Sequence, residues 1–392
     1  MSGFHDSVRA KELRRRRGAK WALVDSDVIP AWVADMDFPI AEPIQNALRD
    51  AIETHDLGYP PLDWRGTQGI AACFAERAQT RWGWEVAPER VMLLTDVVQG
   101  IYLALHTLVP AGQGVVVQPP VYPPFFSAVQ ECGHELLRNP LQATERGYAM
   151  DLDGLRELLA AHPHARVLLL CNPQNPTGRA FTRAELESLG ELVELHDLWV
   201  ISDEIHADLV YSPSSHVPFA SLGPELQQRT LTLTSASKAF NLAGLRCAVA
   251  VCGSEAQRAH IESIPAHMRG DPNVLGRVAM LTAWQEGDSW LAETLSYLDA
   301  NRRFLKDYLG DRLPQLHMQL PEATYLAWID CAGLGLEPDQ PAHALFLQSG
   351  RVALSDGAAF GREGAQHVRI NFATSRALLT EIVDRMARAV AS

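Results

Sequence analysis

Six short apolar runs, separated by helical patterns, limit what this chain can fold into more than any other feature of its sequence. The runs are Arg90 to Leu94, Gly114 to Gln118, Arg166 to Cys171, Leu198 to Ser202, Thr230 to Thr234 and Cys247 to Val251. Between several of them apolar residues recur at helical spacing, notably over Val97 to Val109, Tyr122 to Cys132 and Thr182 to His196. Strands this uniformly apolar belong in a sheet buried on both faces, and the intervening helices supply the crossovers that parallel strands require. The expected fold class is therefore α/β, a mostly parallel sheet covered by helices. In such sheets ligands gather beyond the C-terminal ends of the strands, so the residues just after each run carry the most weight.

The pattern differs on either side of this region. Residues 21–40 are rich in turn formers and aromatics and read as an extended arm. Helical spacing follows over Glu42 to His55, then a Gly58-Tyr59-Pro60-Pro61 break and a second amphipathic stretch over about Asp63 to Arg81. After Pro272 long helices are expected at Val274 to Gln285 and Trp290 to Leu313. Strands are expected at Leu316 to Leu320, Tyr325 to Asp330 and His367 to Phe372, and a closing helix at Ser375 to Val390. The expected division is an arm over 1–40 that joins the small domain and lids the site, a large domain over 41–286, and a small α+β domain over 287–392.

Charge and cysteine content exclude some classes of function. With 34 Lys and Arg against 47 Asp and Glu, the net charge of −13 repels nucleic acid over most of the surface. No apolar run approaches the roughly 18 residues that a membrane span needs. Arg14 to Arg17, with Lys11, Glu12 and Lys20, read as a solvated helix or arm, and no apolar segment of a secretory leader follows them. The six cysteines form no C-x-x-C pair and sit mostly among apolar neighbours, as reduced core thiols of a cytoplasmic protein do. No metal ligand set is expected.

Three run ends carry residues with chemistry. The run ending at Thr234 leads into Ser235-Ala236-Ser237-Lys238, with Arg246 eight positions beyond the lysine. Burial disfavours a lysine's charged form and frees its amine to attack carbonyls or accept protons, while hydroxyls and a guanidinium suit a phosphate. Together these groups match pyridoxal phosphate, held by the lysine as a Schiff base. After Cys171 comes Asn172-Pro173-Gln174-Asn175-Pro176-Thr177-Gly178, a loop whose asparagines can donate to a ligand oxygen. After Ser202 come Asp203 and Glu204. A carboxylate emerging from a buried strand needs a cationic partner, and a pyridinium N–H is one, although a helix N-cap is an equal reading of Asp203 taken alone.

With these motifs, and with Arg369 near the C-terminus, the chain resembles fold-type I pyridoxal phosphate enzymes of the class I/II aminotransferase superfamily. Trp32 to Pro39 (W-V-A-D-M-D-F-P), Asp203-Glu204-Ile205-His206 and Thr324-Tyr325-Leu326-Ala327-Trp328 are similar to its cystathionine β-lyase branch, the MalY/PatB C–S lyases. The resemblance implies a homodimer with shared active sites, in which Lys238 attaches the cofactor and later moves protons. Asp203 would pair with the ring nitrogen, Asn175 would bond the ring 3-oxygen beside His206, and Tyr122 would stack on the ring. Val97 and Val98 at a helix start, with Ser235, Ser237 and Arg246, would hold the phosphate, and Tyr59 would reach that of the neighbouring subunit. Arg369 would clamp the substrate carboxylate, with Ala34 and Trp32 on the substrate side. The implied reaction is β-elimination from cystathionine or another cysteine S-conjugate. Arg246, which is typical of the transaminases, keeps an aminotransferase as the second reading.

Overall fold

The computed structural model describes residues 4–59, 69–145, 147–337 and 340–391. Its main sheet contains β1 (Val91–Leu94), β2 (Gly114–Val117), β3 (Glu135–Arg138), β4 (Ala165–Cys171), β5 (Trp199–Asp203), β6 (Thr230–Thr234) and β7 (Ala248–Cys252). Their spatial order is β1-β7-β6-β5-β4-β2-β3. Neighbours run parallel except β7, which is antiparallel to both β1 and β6. Each of the six expected runs is a strand, with ends shifted by one residue at most.

Side-chain alternation divides the core between the two faces of the sheet. Val115, Val117, Val167 and Leu169 pack on one face with Ile101, Leu105 and Phe125, whereas Val116, Leu168, Leu170 and Val200 pack on the other with Leu155, Leu186 and Leu189. The helix Val97–Leu108 lies close on the first face because Gly100 leaves room: a Cβ there would stand 2.7 Å from methyl carbons of both Leu94 and Leu233.

The edge strand β3 is not foreseen in the sequence. Only Leu137 of its four residues is buried, so no apolar run marks it. The helix Leu152–Ala161 and the hairpin of Gln142–Thr144 with Gly147–Ala149 are also additions. The helix expected over about Asp63 to Arg81 is seen as Ile70–Trp82, and its expected positions 63–68, with Pro60 and Pro61 of the expected break, lie outside the described residues.

A second, antiparallel sheet contains β8 (His317–Met318), β9 (Leu326–Asp330), β10 (Ser355–Asp356) and β11 (His367–Asn371), in the order β8-β9-β11-β10. The strand expected over Leu316 to Leu320 shortens to two residues. The helices Asp288–Arg312 and Arg376–Ala391 bury Leu298, Leu305, Leu379 and Val383 in one cluster with Ile370 and Phe372 of the β11 region. Among the described residues no helix is long and apolar enough to cross a membrane.

The arm joins this second unit, as Ile29–Pro30 pairs in parallel with Val352–Ala353. The basic run before it is solvated as expected at Lys11, Glu12 and Arg15 to Arg17, which are exposed, and departs from that reading at Lys20. Lys20 is buried, its Nζ 3.0 Å from Asp37 Oδ1, and Asp37 also accepts Trp21 Nε1–H at 2.7 Å. Arg16 donates to the carbonyl of Asp37 at 2.9 Å and Arg14 to that of Val28 at 3.1 Å. These cations satisfy arm carbonyls that no sheet partner takes up, a long-range demand that local charge pattern does not reveal. Asp37→Asn leaves Lys20 buried without its anion. The expected result is a loss of about 3 kcal/mol, read as a lower midpoint in urea or thermal unfolding.

Candidate active site

Strands β4, β5 and β6 are parallel neighbours, with Cys171 beside Asp203 and Asp203 beside Leu233 in register. Their C-terminal ends therefore bring the asparagine, aspartate and lysine loops into one place. A cavity of about 370 Å³ opens there, between these loops, the start of the helix Val97–Leu108, the arm and β11. Every residue expected in the site lines it except Tyr59, which is fully exposed on the chain. Val33, Asp96, Cys171, Ile205, Ala243 and Cys247 complete the lining. Among these only Asp96 carries a charge.

Lys238 Nζ donates to the carbonyl of Ala34 at 2.9 Å, and Tyr325 Oη–H donates to the same oxygen at 2.8 Å. Burial, with Arg369 adding to it, lowers the lysine pKa, against the pull of Asp35 and Asp203. The neutral, nucleophilic amine is favoured accordingly.

Arg369 donates to Asn175 Oδ1 at 2.9 Å, to the carbonyl of Trp32 at 2.8 Å and to Ser355 Oγ at 3.2 Å. Its plane lies over the Phe360 ring, 4.8 Å from the centroid. Burial pulls the guanidinium down to about 10, and among the described residues no carboxylate is paired with it. A buried cation held only by neutral acceptors is a receptor for a carboxylate. Because Asn175 spends its oxygen on Arg369, its NH2 group is left to donate into the cavity. Ser355 and Tyr325 were not singled out from sequence as site residues. Ser355 lies on a two-residue strand with no apolar pattern, and Tyr325 enters the sequence reading only as the start of an expected strand and as part of a motif of the family resemblance.

Among the described residues Asp203 accepts only the Ile205 N–H, at 3.1 Å, and no helix follows it, so this is a local turn and not the helix N-cap that is the equal reading from sequence. Burial nevertheless pushes its carboxyl up to about 7. Burial draws His206 down to about 3, and the buried His206 Nδ1 has no partner among the described residues. Beneath them Glu204 accepts from Ser202 Oγ at 2.9 Å, His216 Nε2 at 2.8 Å and the Phe219 N–H at 3.0 Å. This network fixes the backbone that carries Asp203.

At the other end Asp96 caps the helix, one oxygen accepting the Gln99 N–H at 2.8 Å and the other pairing with Arg246. The carboxylate is thus taken up by the cap and the guanidinium. The first amides of the helix, at Val97 and Val98, have no acceptor of their own in a helix and suit an anion. Ser235 Oγ donates to the carbonyl of Cys247 at 2.6 Å and accepts the Ser237 N–H at 3.0 Å, so in this state it orders the loop. An anion site, a lysine and a buried carboxylate lacking a cation, all around one cavity, fit pyridoxal phosphate.

Residues 39–386 match the family described as aminotransferase class I and II. The chain belongs to this family. Within the family it is 38% identical, over 98% of both chains, to a Mycobacterium leprae protein provisionally named cystathionine beta-lyase. It is 34% identical, over 93% of both chains, to the cystathionine beta-lyase PatB of Bacillus subtilis. The solved PLP-bound C-S lyase of Staphylococcus hominis superposes with a TM-score of 0.90 at 29% identity, covering 99% of both chains. The α/β class and the mostly parallel sheet expected from sequence are those of this aminotransferase-like fold.

In this family member the raised carboxyl of Asp203 has a consequence for stability. An aspartate whose pKa rises from 3.8 unfolded to about 7 folded opposes folding progressively as pH climbs between those values, because the unfolded chain gives up its proton first. Cofactor-free Asp203→Asn is therefore expected to melt above the cofactor-free parent at pH 8, by a margin that shrinks markedly at pH 4.5. Thermal melts of both proteins at the two pH values check this.

Proposed function

We propose that this chain is a pyridoxal phosphate-dependent C–S β-lyase, acting on cystathionine or another cysteine S-conjugate and releasing a thiol, pyruvate and ammonia. The observation that carries the reading is the placement of a buried, deprotonation-prone Lys238 and an unpaired Arg369 in one cavity, both bonded to the same short stretch of the arm. The relatives named as C–S lyases support the choice of reaction.

Bound pyridoxal phosphate supplies the electron-withdrawing ring that takes up the electron pair left when the substrate Cα–H bond breaks. Lys238 would carry the group in the resting enzyme and Asp203 would hold its ring N–H, which restores a charged carboxylate at a site where burial otherwise favours the acid. Val97, Val98, Arg246 and the serine loop would hold the phosphate, Tyr122 would cover the ring, and the free amide N–H of Asn175 and His206 would meet the ring oxygen. Arg369 grips the α-carboxylate in a bidentate fork, and this fixes which bond at Cα points to Lys238. The amine of Lys238, whose charged form burial disfavours, would accept the Cα proton. Departure of the sulfur group from Cβ completes the elimination, and hydrolysis of the remaining enamine gives pyruvate and ammonia.

The proposal extends to the assembly, a homodimer in the reducing cytoplasm. Tyr59 is fully exposed, and Ile52 and Leu57 are exposed on the same segment, as residues that reach a partner's phosphate end would be in a lone chain. The arm and residues 287–392 would act as one small domain against 41–286.

The test is product analysis. Purified holoenzyme with L-cystathionine or an S-alkylcysteine is expected to release thiol and pyruvate in equal amounts. Lys238→Ala abolishes both, and Arg369→Ala lowers kcat/KM by about a hundredfold or more, the cost of losing a buried partner of a charge. A keto acid that retains its sulfur, with no free thiol, would instead establish the aminotransferase reading that Arg246 favours.

A further inference from the structure

The N-terminal edge of the main sheet carries a second cluster of donor side chains. Glu135 opens β3, while His162 and His164 lie in the turn that leads into β4. Both strands border β2, and Gly114 of β2 stands in register with Glu135 on one side and Ala165 on the other. A Cβ at Gly114 would meet Leu137 Cδ1 at 2.5 Å and Ala165 Cα at 3.1 Å, so the two outer strands close over that glycine. The crossover turn and the edge strand thus come within reach of each other.

His164 Nε2 and Glu135 Oε2 are 2.6 Å apart, and the rings of His162 and His164 lie 5.7 Å apart at 68°. One ligand atom from each of the three residues lies within 4.8 Å of the other two. Around a tetrahedral ion with bonds near 2 Å, ligand atoms are about 3.4 Å apart. The cluster is therefore slightly open, and Glu135 is exposed while both histidines are half-buried, so small side-chain rotations suffice. Two imidazoles and one carboxylate select borderline transition cations, whereas magnesium and calcium take oxygen donors.

We propose that Glu135, His162 and His164 bind a divalent transition cation such as Zn2+, at a site separate from the active site. The six-residue rise from Ala165 to Cys171 sets it about 20 Å from the cavity. The ion would exchange the His164–Glu135 hydrogen bond for three metal bonds and leave a fourth position to water. It would pin the edge strand to the turn before β4 and take no part in turnover. The sequence carries no expectation of a metal, and these ligands come from the start of an edge strand and from a turn 27 residues further on.

The experiment uses the full-length holoenzyme, stripped with chelator and titrated with Zn2+ in competition with a chromogenic chelator. The parent is expected to bind one equivalent more than the double variant His162→Ala, His164→Ala, and Glu135→Gln is expected to bind about tenfold more weakly. Excess Mg2+ should not compete. Single variants of each histidine give a second route should the double variant fold poorly. Equal Zn2+ stoichiometry and affinity in the parent and the histidine variants would overturn the proposal. The readout is metal content, so it stands or falls independently of the lyase reading.

Discussion

The carbonyl groups of four consecutive arm residues hold the active site together. Trp32 O accepts from Arg369 and Ser355, Val33 O from Asn371, Ala34 O from Lys238 and Tyr325, and Asp35 O from Lys20 and Asn371. Bonds from charged donors contribute about 1.5–3 kcal/mol each, more than neutral ones, and here they converge on one short segment. Asn241 adds a clamp from the lysine loop, accepting from the Met36 N–H and donating to the carbonyls of Met36 and Phe38. The arm is thereby fixed to the loop that carries Lys238 and to the strand that carries Arg369. The separation of Lys238 and Arg369 depends on it.

Apart from the Asp96–Arg246 pair at the rim, the charges in the cavity are arranged so that none is cancelled by the chain itself. Among the described residues Arg369 has neutral acceptors only, Asp203 has one amide, and His206 leaves a ring nitrogen bare. Burial shifts each toward its neutral form. Such a site is costly when unfilled and complementary to a ligand that brings an anion at one end, a ring cation in the middle and a carboxylate at the other. Arg246 and Asp96 differ in kind, because they pair with each other at the rim while Asp96 caps the helix.

Much of this was legible in the sequence, for physical reasons that also explain the gaps. The buried strands declared themselves because burial on both faces requires unbroken apolar runs, and the lysine, aspartate and asparagine loops followed from where those runs stop. The edge strand Glu135–Arg138 escaped because an edge buries little. Lys20 was misread because its partner, Asp37, sits on a segment whose path the local sequence does not dictate. Ser355 and Asn371 contribute through bonds to backbone carbonyls, which any residue type supplies, so no motif marks them, and the motif that contains Tyr325 gives no sign of the carbonyl it holds.

Asn371 offers the most direct test of whether the arm sets the geometry of catalysis, because its side chain holds the carbonyls of Val33 and Asp35 at 2.7 and 2.6 Å and does not itself line the cavity. The measurement is steady-state elimination kinetics of Asn371→Ala, with cofactor absorbance and circular dichroism as controls. If the arm fixes the relation of Lys238 to Arg369, kcat/KM falls by about ten- to a hundredfold while cofactor content and secondary structure are retained. An unchanged kcat/KM in a variant that keeps its cofactor would contradict the account.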